Sequence, residues 1–227
     1  LDRVYNSFVY DFLYPNPESV LAFIENHDTD RFLGNGKDTT ALKQALALLL
    51  TVNRIPQLYY GTEILMNGTK EVTDGNVRKD FPGGFKGDER NAFAAEGRTK
   101  AENEMFTWLS NLLHWRQGND VIIKGSQKQF IPYKGVYVIA RQYNGKTVMT
   151  VINGTRKDAA LSVKRYAEVI GQTKQARDVL TGSSVALDKD LKLTPRQVLV
   201  LEFKTILPAA FSGQICCRWC GDNSPGR

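Results

Sequence analysis

The stretch Phe23-Ile24-Glu25-Asn26-His27-Asp28-Thr29-Asp30-Arg31-Phe32 places a histidine and an aspartate directly after a short apolar run. The apolar residues from 20 to 25 predict a short buried strand that ends at Asn26-His27-Asp28. In a βα barrel, active sites lie at the carboxyl ends of the strands. The stretch therefore predicts that His27 and Asp28 lie at the carboxyl end of a strand, where a βα barrel has its active site.

Periodic segments around this stretch predict helices that alternate with strands. Apolar residues at helical spacing predict a helix over residues 1–13. Residues 40–53 predict a second, largely buried helix that Asp38 or Thr39 can cap. Residues 56–60 predict a second short strand. The order helix, strand, helix, strand indicates βα units and a parallel sheet.

The remainder of the chain changes from a helical to an alternating pattern near residue 118. A charged, Gly-rich loop is predicted over residues 61–101, and loops of such length are usually functional. A helix over residues 102–117 follows. Alternating runs and the hairpin signal Asn144-Gly145 then predict a small antiparallel β-sandwich. Its predicted strands cover residues 128–133, 136–143, 147–153, 159–163, 176–178 and 198–203.

These patterns divide the chain into three parts. Residues 1–118 form the α/β part, and residues 119–204 form the β-sandwich domain. Residues 205–227 fit neither pattern, and we interpret them as a disordered or non-native tail. The tail contains all the cysteines of the chain, which are Cys216, Cys217 and Cys220.

Composition and charge argue against several classes of function. The chain carries 30 basic and 24 acidic residues without a basic run of five or more, so its net charge of +6 does not predict nucleic-acid binding. The longest apolar stretch, residues 45–52, is far shorter than the ~20 residues of a membrane-spanning helix, so no membrane partner is expected. The main body contains no cysteine and therefore no disulfide framework.

The histidine beside an aspartate has three interpretations on residue chemistry alone. The pair could belong to a metal site, which needs further ligands, but the second histidine, His114, is expected to pack against the interior. It could belong to a Ser-His-Asp triad, but no G-x-S-x-G motif occurs, and adjacent strand residues point to opposite sides. It could also be a turn without a function.

Three motifs in matching order resemble the α-amylase superfamily of glycoside hydrolases. The stretch over residues 23–32 closely resembles the strand-seven motif of that family. Ile55-Pro56-Gln57-Leu58-Tyr59-Tyr60-Gly61-Thr62-Glu63 resembles its strand-eight motif. Asp74-Gly75-Asn76-Val77-Arg78 resembles the acid and arginine pair of the following loop. Asp80-Phe81-Pro82-Gly83-Gly84-Phe85 looks like the cyclomaltodextrinase and neopullulanase branch. The resemblance covers residues 1–203.

The resemblance implies an α/β partial TIM barrel, made of the last two βα units, followed by an all-β antiparallel sandwich. Residues 1–118 would then be the C-terminal part of the (β/α)8 catalytic barrel. Asp28 would be a catalytic carboxylate that hydrogen-bonds sugar hydroxyls at the cleavage subsite, and His27 would bind the same sugar. Asp74 and Arg78 would bind the neighbouring glucose unit as substrate-binding residues.

The chain departs from the family in the residues that perform the chemistry. Retaining hydrolysis needs a nucleophilic carboxylate and a carboxylic acid about 5–5.5 Å apart. The family supplies them from strands four and five, and neither motif occurs in this sequence. Glu25 is expected to point into the barrel wall, and Glu63 matches neither role. We therefore expect a C-terminal fragment that is inactive by itself.

For the intact parent, the resemblance implies hydrolysis of α-1,4-glucosidic bonds in maltodextrins, cyclodextrins or pullulan. The expected partner is an α-glucan oligosaccharide or a cyclodextrin, and a homodimer of the parent is compatible with the family. No metal or other cofactor is expected in this chain. Calcium stays open for the parent, because the family's usual calcium ligands lie upstream. The compartment also stays open, with the bacterial periplasm or cytoplasm favoured over secretion.

A second interpretation makes residues 119–203 a carbohydrate-binding or structural module without catalysis. It requires aromatic side chains on one exposed sheet face, for which Tyr133, Tyr137 and Tyr143 are candidates. Tyr137 and Tyr143 share a face unless a bulge intervenes. Three phenylalanines of the long loop could stack on sugars or could hold the loop in place: Phe81, Phe85 and Phe93.

Overall fold

The computed structural model describes residues 1–206. Two residues that the sequence assigned to the tail belong to the fold. The Thr205 amide donates to the Gly145 carbonyl at 2.8 Å, and the Gln172 amide donates to the Ile206 carbonyl at 2.6 Å. The folded region therefore runs two residues beyond the predicted end of the sandwich, because main-chain hydrogen bonding continues past the last strand. The cysteines of the predicted tail lie outside the described residues.

Within residues 1–206, six α-helices and ten β-strands are joined by turns and short 3-10 helices. The helices are α1 (Asp2–Val9), α2 (Thr39–Leu49), α3 (Asp74–Val77), α4 (Lys100–Gln117), α5 (Asp120–Lys124) and α6 (Ala167–Ile170). The strands are β1 (Leu21–Ala22), β2 (Ile55–Pro56), β3 (Ser126–Tyr133), β4 (Val136–Tyr143), β5 (Lys146–Asn153), β6 (Ala159–Leu161), β7 (Gln175–Asp178), β8 (Ser184–Ala186), β9 (Leu191–Leu193) and β10 (Val198–Lys204). None of the helices in this range combines the length and apolar character needed to cross a bilayer.

The N-terminal half contains one parallel strand pair, β1 and β2. Leu21 lies opposite Ile55, and Ala22 lies opposite Pro56. The predicted order of helices and strands and the parallel pairing are confirmed. Both strands are shorter than predicted, because the ladder ends where the Gln57 amide donates to the Ala22 carbonyl at 2.8 Å. Beyond that bond, the chain turns into loops that carry polar side chains.

Capping residues set the starts of the two long helices. Asp38 caps α2, since its Oδ1 accepts the Ala41 amide at 3.0 Å, which confirms the first of the two predicted caps. A capping box begins α4: the Thr99 hydroxyl accepts the Glu102 amide at 3.3 Å, and the Glu102 carboxylate accepts the Thr99 amide at 2.7 Å. The helix therefore begins two residues before the predicted start at residue 102.

Several short elements were not predicted from the sequence. The loop expected over residues 61–101 contains α3, which Thr73 caps. Asn119 lies just after the predicted helix over residues 102–117, and its side chain accepts the Val121 amide at 3.0 Å and so begins α5. Strands β8 and β9 have three residues each, which is too short for an alternating pattern to show.

A six-stranded antiparallel sheet forms the C-terminal half, in the order β3-β4-β5-β10-β7-β8. The predicted hairpin between β4 and β5 is confirmed, because Asn144 and Gly145 both have positive φ, at 47° and 69°. Lys134 and Gly135 form an equivalent turn between β3 and β4, with φ of 49° and 77°. The two tight turns place the three longest strands of the sheet side by side.

The large sheet is the middle layer of the molecule. One face packs against the two-stranded sheet β6-β9 and against α6. On the other face, Ala47 of α2 and Val121 of α5 cluster with Val148 and Val200 of the sheet. Strands β4 and β5 are therefore buried on both faces, which explains why they are apolar at consecutive positions. The antiparallel β domain is confirmed, but the second layer of the expected sandwich is only two strands wide.

Arg141 of β4 joins the sheet to the helical half. Its side chain is buried and forms no ion pair among residues 1–206. Its Nη2 donates to the Gly125 carbonyl at 2.6 Å and to Asn53 Oδ1 at 3.0 Å, and its Nη1 donates to the Thr51 carbonyl at 3.4 Å. Burial lowers the pKa of Arg141 to about 10. The buried charge is therefore held by main-chain and amide oxygens from both halves.

Asp38 is expected to stabilise the junction between the two halves, because it caps α2 and also pairs with Arg196 at 2.7 Å. The hydrogen bond from Arg196, followed by that from the Ala41 amide, lowers the pKa of Asp38 below its usual value of 3.8. The contribution of Asp38 should thus be complete above about pH 4 and decline as the pH falls through the lowered pKa.

We predict that Asp38→Ala lowers the free energy of unfolding by about 1 kcal/mol at pH 7, the usual cost of a lost cap. Asp38→Asn keeps a capping oxygen and should lose less, with a weaker pH dependence between pH 4 and pH 2. Urea denaturation at pH 7 and pH 3 measures both effects. Asp158→Ala, at an exposed position, is the control. Equal stability of wild type and Asp38→Ala at pH 7 would contradict the prediction.

Candidate functional site

The four residues predicted from the motifs meet at one edge of the β1-β2 pair. His27 and Asp28 follow β1, and Asp74 and Arg78 lie in the loop that follows β2. Arg78 joins them: its Nε donates to the His27 carbonyl at 3.0 Å, and its Nη2 lies 3.4 Å from Asp28 Oδ1 and 3.6 Å from Asp74 Oδ2. We call these four residues the rim cluster.

A short polar turn presents His27 and Asp28 to solvent. Asn26 Oδ1 accepts the Asp28 amide at 2.8 Å, and the Asn26 amide donates to the Thr29 hydroxyl at 3.0 Å. Such a turn is typical of asparagine, whose side chain bonds the backbone two residues on. His27 Nε2 lies 3.2 Å from Asp28 Oδ2, and the two side chains are 61% and 63% exposed. Both can therefore bind a ligand from solution.

The loop that carries Asp74 and Arg78 is held by its own polar contacts. Thr73 Oγ1 accepts the Asn76 amide at 3.1 Å, and Asn76 Oδ1 accepts the Thr69 amide at 2.8 Å. Gly68 passes so close to Asn76 that a Cβ on Gly68 would clash with the Asn76 carbonyl. The close approach requires glycine at this position.

Lys70 adds a second cation to the rim cluster that the motifs did not indicate. Its Nζ lies 3.4 Å from Asp74 Oδ1 and donates to the Asp28 carbonyl at 3.3 Å. Its amide donates to Asp30 Oδ1 at 2.7 Å. The i, i+4 spacing of Lys70 and Asp74 was a signal in the sequence, but such spacing indicates contact only within a helix, and this segment was predicted as loop. Two carboxylates and two cations thus alternate around the exposed cluster.

A buried pair, Glu25 and Arg31, lies beneath the rim cluster. Both side chains are almost fully buried, and Arg31 Nη1 lies 3.7 Å from Glu25 Oε1. Glu25 accepts hydrogen bonds from the Thr62 hydroxyl and from the Phe32 amide. The expectation that Glu25 points inward therefore matches the geometry. Arg31 was part of the quoted stretch, but the sequence alone assigned it no role.

Two tyrosines of the strand-eight motif cover Arg31. The guanidinium lies 3.9 Å from the ring centroid of Tyr59 and 4.9 Å from that of Tyr60. The two rings meet edge to face at 4.7 Å, and the Tyr60 hydroxyl donates to the Lys79 carbonyl at 2.7 Å. Burial raises the pKa of Tyr59 above its usual value. The motif thus supplies the wall between the buried pair and the loop.

The distal part of the loop forms a separate compact turn. Asp88 Oδ2 accepts the Gly83 amide at 2.6 Å and the Phe85 amide at 3.1 Å. Arg90 donates twice to Glu102, at 2.6 and 2.9 Å, which lowers the pKa of Glu102 and ties the turn to α4. The phenylalanine rings leave both roles open: Phe81 and Phe93 pack together at 4.5 Å, yet Phe93 is 63% exposed and Phe85 is 65% exposed.

Sequence relatives agree with this architecture. A family model described as the C-terminal domain of cyclo-malto-dextrinase matches residues 127–202. A cyclomaltodextrin glucanotransferase of Thermoanaerobacterium thermosulfurigenes is 28% identical over 203 residues, which are 86% of this chain and 25% of that protein. An α-amylase of Niallia circulans is 26% identical over 196 residues, which are 83% of this chain and 33% of that protein.

Solved structures show the same arrangement of elements. An Anoxybacillus α-amylase matches 92% of this chain and 43% of its own, with a TM-score of 0.70 and 22% identity. The α-amylase of Geobacillus thermoleovorans, solved with acarbose, matches 88% of this chain and 42% of its own, with a TM-score of 0.68 and 25% identity. The family model and these relatives support a resemblance to the α-amylase superfamily.

Coverage limits what this resemblance to the α-amylase superfamily shows about activity. The chain spans 25% and 33% of the length of the two curated relatives named above. The matched region of both relatives is therefore a minor part of each enzyme.

Two other expectations about single residues are wrong. His114 is exposed on α4, where its Nδ1 lies 2.8 Å from the Ser110 carbonyl, so it does not pack against the interior. Tyr137 is completely buried under α1, because β4 is covered on both faces, and cannot stack on a sugar. The carbohydrate-binding module therefore loses one of its three candidate aromatics.

Within residues 1–206, no group of three His, Cys, Asp or Glu is arranged to hold a metal ion.

Arg78 is expected to hold the rim cluster together and to contribute little to the free energy of unfolding. Its side chain and its two carboxylate partners are 42–63% exposed, and exposed ion pairs contribute about 0–1 kcal/mol. We predict that Arg78→Met changes the free energy of unfolding by less than about 1 kcal/mol. Urea denaturation of Arg78→Met, with Arg78→Lys as the charge-preserving control, tests this. A loss above about 2 kcal/mol would contradict a solvent-screened cluster.

Proposed function

We propose that this chain is the C-terminal part of a retaining α-glucan hydrolase and that the rim cluster binds its substrate. The observation that carries the proposal is the convergence of His27, Asp28, Asp74 and Arg78, from loops after two parallel strands, on one exposed edge. Active sites of parallel βα folds lie at this edge. The resemblance to the α-amylase superfamily and the names of the relatives support an α-glucan as the substrate.

In this proposal, Asp28 acts on the charge that develops during bond cleavage. The transition state of glycoside hydrolysis is an oxocarbenium-like ring with partial positive charge. A carboxylate whose hydrogen bonds to the sugar hydroxyls tighten in that state lowers the barrier. Arg78 and His27 contact Asp28 on its two oxygens, at 3.4 and 3.2 Å, and so hold it in one orientation. His27 would bind the same sugar, and Asp74 with Arg78 would bind the adjacent one.

We further propose that residues 1–118 complete a (β/α)8 barrel together with strands from the rest of the parent. Leu21 and Ile55 of the parallel pair are 53% and 50% exposed, and Phe23 is also exposed. Parallel sheets are normally covered on both faces. Additional barrel strands would bury these apolar side chains. Residues 119–204 would then form the C-terminal domain, which agrees with the family model over residues 127–202.

The proposal assigns no hydrolytic activity to this chain alone. Double displacement needs a nucleophile and a general acid, and the motifs that carry them in the family do not occur in the sequence. The substrates proposed for the parent are maltodextrins, cyclodextrins or pullulan. A homodimer of the parent stays a prediction.

We predict that the chain binds maltotriose weakly at the rim cluster, because only part of a substrate site is present. Asp28→Asn should weaken binding by about tenfold or more, the effect of losing one charged hydrogen-bonding partner. NMR titration with maltotriose, followed at the His27 ring, measures the affinity. Asp120→Asn, an exposed aspartate paired with Lys124 on α5, is the matched control.

A parallel assay with cyclodextrin tests the absence of activity. No sugar release above a blank is expected from the chain alone. Turnover by the chain would overturn the incomplete-site proposal. Shifts that spare His27, or equal affinity of the Asp28→Asn variant, would overturn the assignment of the binding site.

A further inference from the structure

Arg31 contacts the loop after β2 at three separate points. Its amide donates to the Gly68 carbonyl at 3.1 Å, its Nη1 to the Tyr60 carbonyl at 2.6 Å, and its Nε to the Val77 carbonyl at 2.9 Å. Tyr60 lies at the beginning of the segment that leads to Arg78, Gly68 in its middle and Val77 at its end. One residue at the end of β1 therefore determines the path of the loop that carries half of the rim cluster.

The third contact is the one nearest to the site. Val77 directly precedes Arg78, so the bond to its carbonyl fixes the backbone from which the Arg78 side chain leaves. Arg78 in turn donates to the His27 carbonyl at 3.0 Å. A continuous series of hydrogen bonds thus joins Arg31 to Arg78 and returns to the His27–Asp28 turn, four residues before Arg31 in the chain.

Glu25 holds Arg31 from the opposite side. It precedes the His27–Asp28 turn and accepts hydrogen bonds from Thr62, in the loop after β2, and from the amide of Phe32. Each partner of the pair therefore joins the segment after β1 to the loop after β2: Glu25 through Thr62, and Arg31 through its carbonyl contacts. The Glu25–Arg31 pair is buried from solvent, whereas the carboxylates of the rim cluster are exposed.

The geometry of this pair is poorly suited to a purely stabilising role. Glu25 and Arg31 are 3.7 Å apart, and Arg31 Nη2 has no hydrogen-bond partner among residues 1–206. Desolvating two charges is costly unless their hydrogen bonds are complete, and buried ion pairs are in general weak evidence for stability. Fixing the loop is a role that the three carbonyl contacts do support.

We propose that Arg31, with Glu25 as its counter-ion, is a positioning residue that fixes Asp74 and Arg78 relative to His27 and Asp28 for glucan binding. The proposal rests on the function proposed above. The planar guanidinium is required, because Nε and Nη1 donate in different directions to two carbonyls while the ring of Tyr59 covers its face. A lysine ammonium at this position would keep the charge but could not serve both carbonyls.

Arg54 offers a matched control within the same chain. It is also a buried arginine with one carboxylate partner, Asp11. It donates to the Asn53 and Pro17 carbonyls at 2.8 and 3.2 Å, and its guanidinium lies 5.0 Å from the Phe8 ring centroid. These partners all lie outside the rim cluster, so removing Arg54 imposes a similar burial defect away from the site.

The test compares Arg31→Met, Arg31→Lys and Arg54→Met in the full chain. We predict similar losses of thermal stability for the two methionine variants, but a decrease of about tenfold or more in maltotriose affinity only for Arg31→Met. Arg31→Lys should recover part of the stability and little of the affinity. The NMR signal of the Arg78 Nε–H group, assigned with Arg78→Lys, should move or broaden in both Arg31 variants and stay unchanged in Arg54→Met.

The outcomes separate this proposal from the proposed function. Failure of the wild-type chain to bind maltotriose at His27 would remove the proposed function, and the inference with it. Wild-type binding that both Arg31 variants retain would overturn the positioning role alone. An equal loss of affinity in Arg54→Met would show a general effect of destabilisation and would also overturn it. If Arg31→Met does not fold, Arg31→Lys decides by the same two measurements.

Discussion

The guanidinium of Arg31 is the contact on which the geometry of the rim depends. Apart from a 3-10 helix over Thr62–Ile64 and the four-residue helix α3, the loop after β2 has little regular structure of its own up to Arg78. Ordering each such residue costs about 1–2 kcal/mol of backbone entropy, and contacts from outside the loop add to the loop's own polar contacts in offsetting that cost. Arg31 supplies three of them, and Glu25 adds a fourth through Thr62. The positions of Asp74 and Arg78 therefore follow from residues at the end of β1.

The site consists of a buried layer, formed by Glu25 and Arg31, and an exposed layer, formed by the rim cluster. The lower layer is buried, and its charges are fixed by carbonyls and by the ring of Tyr59. The upper layer is open, and ion pairs at such exposure are individually weak. In the proposed function, a sugar hydroxyl would therefore replace a contact of Arg78 or Asp28 at small cost while the backbone below stays in place. This arrangement combines a rigid support with exchangeable surface groups.

Much of the fold and of the candidate site could be predicted from local signals. The helices α1, α2 and α4, the parallel pairing and the Asn144-Gly145 turn each follow from a short pattern, and the motif residues do converge. The missed features depend on contacts between distant segments. Lys70 joins the cluster only because the loop folds back, and Tyr137 is covered by a helix more than a hundred residues earlier in the chain. No periodicity within β4 could indicate which layer would cover each face.

Arg141 has a consequence for where this protein can be divided. The stretch matched by the family model begins at residue 127, yet the Arg141 guanidinium in its second strand pairs with no acid among residues 1–206 and relies on oxygens of Thr51, Asn53 and Gly125. The β domain without residues 1–126 would keep the Arg141 cation but lose the oxygens that bind it. The apolar sheet face that packs against α2 would also be exposed to solvent. The stretch that the family model matches is therefore smaller than the part of the chain that we expect to fold by itself. The boundary at residue 127 is a boundary of sequence similarity, and it cuts through contacts that stabilise the fold.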